Sequence, residues 1–146
     1  MKILVINGPN LNMLGKRDKK HYGRISLEKI NELLRKKAKK LNVMLTFYQS
    51  NHEGELIDFL QKKASKASGI LINPGALTHY GYSLRDALTD IKLPIVGVHL
   101  SYPKKRENFR KIDILKGIAL KTISGLKEKS YLLGLEDLSV YLKSNQ

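Results

Sequence analysis

The chain has 146 residues, 42% of them hydrophobic and none cysteine, with 27 Lys+Arg against 13 Asp+Glu for a formal charge of +14. That length and apolar content suit one folded domain burying roughly 70% of its unfolded surface, and they exclude a disordered chain. The missing cysteines exclude a disulfide framework and a thiolate metal site.

The first element is "KILVI" (2–6), an apolar run that predicts a strand. No cleavable signal pattern precedes it, and no apolar run in the chain reaches the roughly 18 residues of a membrane span. A cytoplasmic protein without a membrane partner is therefore expected. Next comes "NGPNLNMLGKRDKKHYG" (7–23). It is too polar for core and long for a connection, and such loops in compact domains are usually functional or disordered. Leu27, Ile30, Leu33, Leu34, Ala38 and Leu41 form a helical stripe, with Ser26 placed to cap it. Arg35, Lys36, Lys37, Lys39 and Lys40 fall on its outer face, so much of the positive charge reads as a solvated surface.

"VMLTFY" (43–48) predicts the second strand, and Leu56, Ile57, Leu60, Ala64 and Ala67 the second helix. "GILI" (69–72) follows, then a shorter helix after Ser83 through Leu84, Ala87, Leu88 and Ile91. "PIVGVHL" (94–100) is the fourth strand and "IALKTIS" (118–124) the fifth. The segment between them, "SYPKKRENFRKIDILKG", carries no clean helical stripe. Tyr131, Leu132, Leu135, Leu138 and Leu142 predict a closing helix, mildly interrupted by Gly134.

Strands alternating with helices, joined by connections of helix length, imply parallel pairing and right-handed crossovers. The expected fold is α/β: a flavodoxin-like, doubly wound, five-stranded parallel sheet of order 2-1-3-4-5, with helices on both faces. Residues 1–146 would form a single catalytic domain. Ligands of such sheets bind beyond the carboxyl ends of the strands. The segments found there are "NGPNLN", "QSNHEGE", "NPGALTH", and "HLSYP" with "RENFR". Each is rich in Asn, His, Gly or Ser, and that clustering marks an active site.

The chemistry narrows by elimination. Gly8 and Gly15 lie too far apart for a phosphate loop, and Lys16 is followed by Arg17 rather than Ser or Thr. His52, Glu53, Glu55, His79 and His99 sit near strand ends without the spacing of a zinc helix, so no metal is expected. Ser101 lacks a nucleophile elbow. Acid–base chemistry remains, with His99 and Tyr22 as its candidates. A tyrosine acts as a base only as its anion, which neighbouring guanidinium groups favour. Arg17 shares the Tyr22 loop, and Arg106 and Arg110 occupy another loop at the same sheet edge. A mobile lid over about residues 15–23 would carry Tyr22 and Arg17 down together and exclude water.

These loops together resemble type II 3-dehydroquinate dehydratase. The matching stretches are "INGPNLNMLGKR", "HYG", "QSNHEGELID", "INPGALTH" followed by "LRDAL", and "VHLS" followed by "RENFR". The resemblance implies cofactor-free loss of water from 3-dehydroquinate to give 3-dehydroshikimate, without a lysine Schiff base. It implies that Tyr22 takes the proton beside the ketone, with Arg17 holding the Tyr22 anion. Asn10 would hold a water on the enolate, and His99 would protonate the departing hydroxyl. Asn73, His79 and Arg110 would grip the substrate, with the backbone of Leu100 and Ser101 on its carboxylate. Asp86 matches a residue contributed by a neighbouring subunit of a trimer, commonly four trimers in a dodecamer.

The chain departs from the family pattern at four places. Gly97-Val98-His99 replaces the usual Glu-Val-His, which removes the carboxylate expected to orient and polarise the histidine. Ser101-Tyr102 replaces Ser-Asn, Arg17-Asp18-Lys19 replaces Arg-Glu-Pro, and Lys121 stands where glycine is frequent. Every proposed proton-transfer residue is present, so an active enzyme is expected, with no nucleic-acid partner. Two rivals carry distinct expectations. A basic nucleic-acid-binding module would bind with steep salt dependence. A degenerate relative would bind the ring acid without dehydrating it.

Overall fold

The computed structural model describes residues 1–145. Among them, five strands form one parallel sheet: β1 (Lys2–Asn7), β2 (Met44–Gln49), β3 (Gly69–Asn73), β4 (Ile95–His99) and β5 (Lys121–Ser124), in spatial order 2-1-3-4-5. The register runs Asn7 beside Gln49 and Asn73, so the first three strands end level with one another. Five α-helices surround the sheet: α1 (Lys19–Tyr22), α2 (Leu27–Leu41), α3 (Glu53–Lys63), α4 (Tyr82–Ile91) and α5 (Glu128–Ser144). The expected flavodoxin-like fold is the observed one.

Alternation along the strands sorts the core into two halves. Ile3, Val5, Leu71, Val96 and Val98 face Ile30, Leu34 and Ala38 of α2 and Leu135, Leu138 and Leu142 of α5. Leu4, Ile6, Ile70, Ile72 and Ile95 face Leu56 and Leu60 of α3 and Leu84 and Leu88 of α4. Ser26 caps α2 as expected, its hydroxyl accepting the Lys29 N–H at 3.2 Å. Gly134 does not interrupt α5. A Cβ there would lie 2.7 Å from Val98 Cγ1 and 2.8 Å from Leu71 Cδ1, so the glycine lets the helix press against the sheet.

Two expectations are corrected. Helix α4 begins at Tyr82, so Ser83, expected just before the helix, lies inside its first turn, and the Leu84 N–H is taken by Glu53 Oε1 at 2.9 Å. Strand β5 starts at Lys121 rather than Ile118, because Ile118 and Ala119 close turns onto the Leu115 carbonyl. The segment between β4 and β5 has the irregular path its missing stripe implied. Two 3-10 turns, Pro103–Lys105 and Asn108–Lys111, replace a crossover helix and bring their arginines back over the strand ends.

Candidate active site

A cavity of about 330 Å³ opens at the carboxyl ends of β1, β3 and β4. Nine of the ten residues singled out from the sequence line it: Asn10, Arg17, Tyr22, Asn73, His79, His99, Leu100, Ser101 and Arg110. The tenth, Asp86, is exposed on α4 and stands outside this cavity. Arg106 is also in the wall, and among the described residues no carboxylate is. Three guanidinium groups without a lining acid make the cavity a trap for anions.

The loop after β1 folds back over this opening. Asn10 adopts a left-handed backbone (φ 71) and gives its N–H to Asn51 Oδ1 at 2.9 Å. Helix α1 is a single turn, capped by Asp18 Oδ1 on the Lys20 N–H at 2.9 Å and ended by Gly23 at φ 77. Tyr22, its last residue, is half-buried between two arginines. Arg106 Nη1 donates to the Tyr22 hydroxyl oxygen at 2.8 Å, while the Arg17 guanidinium stacks 3.9 Å above the ring centroid. Arg17 is thus brought to the ring face, and the hydroxyl's hydrogen bond comes from Arg106. The sequence placed Arg106 at this sheet edge without revealing which arginine would reach the oxygen.

The opposite wall is rigid. His99, the last residue of β4, is buried, and burial holds its imidazole down from the usual 6.5 to about 4. The Asp113 carboxylate pushes in the other direction, and His79 adds to the lowering. His79 pairs its Nδ1 with the Ile112 carbonyl at 2.6 Å, which makes Nδ1 the donor in that bond. Arg110 is steered by Glu107, whose Oε2 accepts its Nε–H at 2.7 Å. The carbonyls of Leu100 and Ser101 accept the N–H groups of Lys127 and Gly125, each at 3.0 Å, fixing the strand end.

Beneath the site runs a polar relay that pattern reading missed. The Tyr131 hydroxyl donates to Asn7 Oδ1 at 2.6 Å and accepts from Asn73 Nδ2 at 2.9 Å. Asn73 Oδ1 in turn accepts the Gly75 N–H at 3.1 Å. Tyr131 is fully buried, and burial raises its phenol far above the ordinary value. Its position in the apolar stripe of α5 concealed this role. The only available signal was a hydroxyl among leucines, facing two strands that both end in asparagine.

The fold and this cavity define a flavodoxin-like α/β protein with a cationic cavity lined by tyrosine, histidine and asparagine at its strand ends. The dehydroquinase class II family profile matches residues 1–139. A 3-dehydroquinate dehydratase of Roseiflexus castenholzii is 54% identical over 136 residues, covering 93% of this chain and 87% of its own. That of Halothermothrix orenii is 46% identical over 142 residues, covering 97% and 96%. Among solved structures, the type II dehydroquinase from Butyrivibrio crossotus superposes with a TM-score of 0.91 at 42% identity, over 94% of this chain and 97% of that one. The chain belongs to the class II dehydroquinase family.

Proposed function

We propose that this protein is a type II 3-dehydroquinate dehydratase, removing water from 3-dehydroquinate to give 3-dehydroshikimate. The observation that carries the proposal is the cavity itself. It sets a tyrosine held by two arginines opposite a buried histidine, among cationic and amide groups suited to a carboxylated, polyhydroxylated ring.

The Tyr22 anion removes the proton from the carbon beside the ketone, and the Arg106 and Arg17 guanidinium groups carry the phenolate's charge. The electron pair moves into the carbonyl, and a water held by Asn10 stabilises the enolate oxygen. The enolate then collapses, the C–O bond to the departing hydroxyl breaks, and His99 supplies the proton that makes it water. Asn73 has one Nδ2–H left for substrate after its bond to Tyr131, and His79 presents Nε2. Arg110 and the backbone N–H groups of Leu100 and Ser101 take the carboxylate. Residues 15–23 close over the ring as a lid within one catalytic domain, 1–146.

Asp86 serves a neighbouring subunit in a trimer, four trimers forming the dodecamer. It lies one helical turn from Tyr82, which is 61% exposed, and that apolar surface on the same face of α4 supports a protein contact there. The enzyme works in the cytoplasm without a nucleic-acid or membrane partner. No helix among the described residues is long and apolar enough to cross a membrane.

The test is to incubate the protein with 3-dehydroquinate and follow the ultraviolet absorbance of the conjugated enone. Enone formation that Tyr22→Phe abolishes supports both the reaction and the base. Turnover surviving the variant removes Tyr22 from its role. Binding without turnover favours the degenerate relative, whose motive is the glycine at position 97.

A further inference from the structure

Ile95 packs on the α3–α4 side of the sheet, so Gly97 and His99, at successive alternate positions, point to that same side. No side chain can enter at Gly97 without displacing core. A Cβ there would stand 2.7 Å from Leu115 Cδ1 and 2.9 Å from Thr122 Oγ1, and Leu115 is fully buried. Leu115 fills the space beneath His99 that a strand-borne carboxylate would need. Any negative charge for the imidazole has to arrive from another element.

One does arrive. We infer that Asp113 is the positioning carboxylate of His99, supplied by the β4–β5 crossover in place of strand β4. This rests on the reading of His99 as the acid of the dehydration. A second cavity, of about 250 Å³, lies behind the histidine and has His99, Asp113, Thr78, Thr122 and Ser124 in its walls. It shares His99 and Arg110 with the substrate cavity, so the imidazole forms part of the wall between the two.

Asp113 is held in place from both sides. Its Oδ1 accepts the Leu115 N–H at 2.8 Å, which leaves Oδ2 unused by that turn. The next residue, Ile114, gives its N–H to the Thr78 carbonyl at 2.8 Å, and its own carbonyl accepts from Arg85 Nη1. The preceding carbonyl, of Ile112, is bonded to His79 Nδ1. Leu115 therefore both closes the Gly97 position and orients the carboxylate that replaces it.

The charges around the imidazole favour this reading. His79, Arg110 and Lys111 face it or its cavity with positive or neutral character, Tyr102 with a phenol, and Tyr22 and Arg106 from across the substrate cavity. Asp113 is the acidic residue in either wall among the described residues. A general acid must carry its proton, burial opposes the charged form, and a carboxylate across a small polar space offsets part of that cost. Its field acts on His99 in that direction, against burial and against His79.

Asp113→Asn keeps the oxygen that accepts the Leu115 N–H and removes only the charge; Asp113→Glu keeps the charge. With four histidines in the chain, ring-nitrogen NMR can follow His99 individually. The expected result for Asp113→Asn is a His99 titration lowered by about one pH unit, with kcat on 3-dehydroquinate about tenfold lower and KM within about twofold. Asp113→Glu should recover most of both. A purely structural aspartate would move neither the titration nor the pH profile of kcat. An Asn variant matching wild type in both overturns the inference while leaving the dehydratase intact. A wild type that never turns over refutes the dehydratase reading, and the His99 titration then decides on Asp113 alone.

Discussion

The two sides of the catalytic cavity are built differently. The floor, made of Asn7, Asn73, His79, His99 and Tyr131, is buried throughout and fixed by strand ends and a three-member side-chain relay. The segment 15–23, the proposed lid, has one buried residue in nine, contains one turn of helix, and is tied to the rest by single contacts such as Arg106 to Tyr22 and Lys127 to Lys20. Few buried contacts mean a small free energy of local opening. On the proposed roles, the base therefore rides on the less buried segment and the acid sits on the buried floor. The proposed lid would then admit substrate without disturbing the buried histidine, and its closure would bring the tyrosine into line.

If that division holds, changes in the lid alter rate without altering stability, and changes in the floor alter both. The largest separation is expected from Tyr22→Phe, which should lower kcat by about a thousandfold through loss of the base. Its thermal midpoint should stay within about 2 °C of wild type. A variant that also unfolds several degrees earlier would make Tyr22 part of the scaffold and erase the contrast.

The floor should respond to pH. The folded-state value for His99, about 4, lies below the ordinary 6.5 of an unfolded chain, so between the two the unfolded state binds more protons than the native one. Stability is therefore full above about pH 6.5 and falls as pH drops through the window to about 4. The loss from this group is about 3 kcal/mol. Denaturant titrations at a series of pH values would measure it, and His99→Gln should flatten that portion of the curve. An unchanged curve in the variant would place the acid sensitivity elsewhere.

How far the sequence revealed this arrangement depends on the signal each residue carries. The strand order and both helical layers follow from apolar runs and 3.6-residue stripes, which report burial directly. The cavity-lining set was legible because parallel sheets gather function at one edge, so position in the chain implied position in space. Tyr131 was not legible, since a stripe records that a side chain is buried and not that its hydroxyl is bonded. The division of labour between Arg17 and Arg106 was hidden too, because loop composition places a cation without fixing whether it meets a ring or an oxygen. Asp113 lies in the one crossover without periodicity, where nothing in the pattern gives direction to a side chain.

Tyr131→Phe probes the join between floor and fold. It removes a donor from Asn7 Oδ1 and an acceptor from Asn73 Nδ2 in a fully buried space. Leaving two amides short of partners should cost about 2 kcal/mol in urea unfolding, and kcat should fall with the loosened Asn73. A stability loss without any change in rate would show that Asn73 keeps its orientation from Gly75 alone.

The smallest expected effect is also the sharpest test of the lid. Lys127 precedes α5 and reaches across to the Lys20 carbonyl with its Nζ at 3.0 Å, which ties α1 to the scaffold. Its own N–H is already used on the Leu100 carbonyl at 3.0 Å, so Lys127→Met keeps the backbone and most of the stem and removes only the tie. An exposed bond of this kind is worth about 0.6 kcal/mol, enough to shift lid opening about threefold and too little to register in global unfolding. Lys16, Arg17, Lys19 and Lys20 make the lid a tryptic target, so the cleavage rate there should rise by that same factor. Cleavage at the wild-type rate would mean that the Tyr22 contact with Arg106, rather than Lys127, keeps the lid shut, and Tyr22→Phe alone would then raise the cleavage rate.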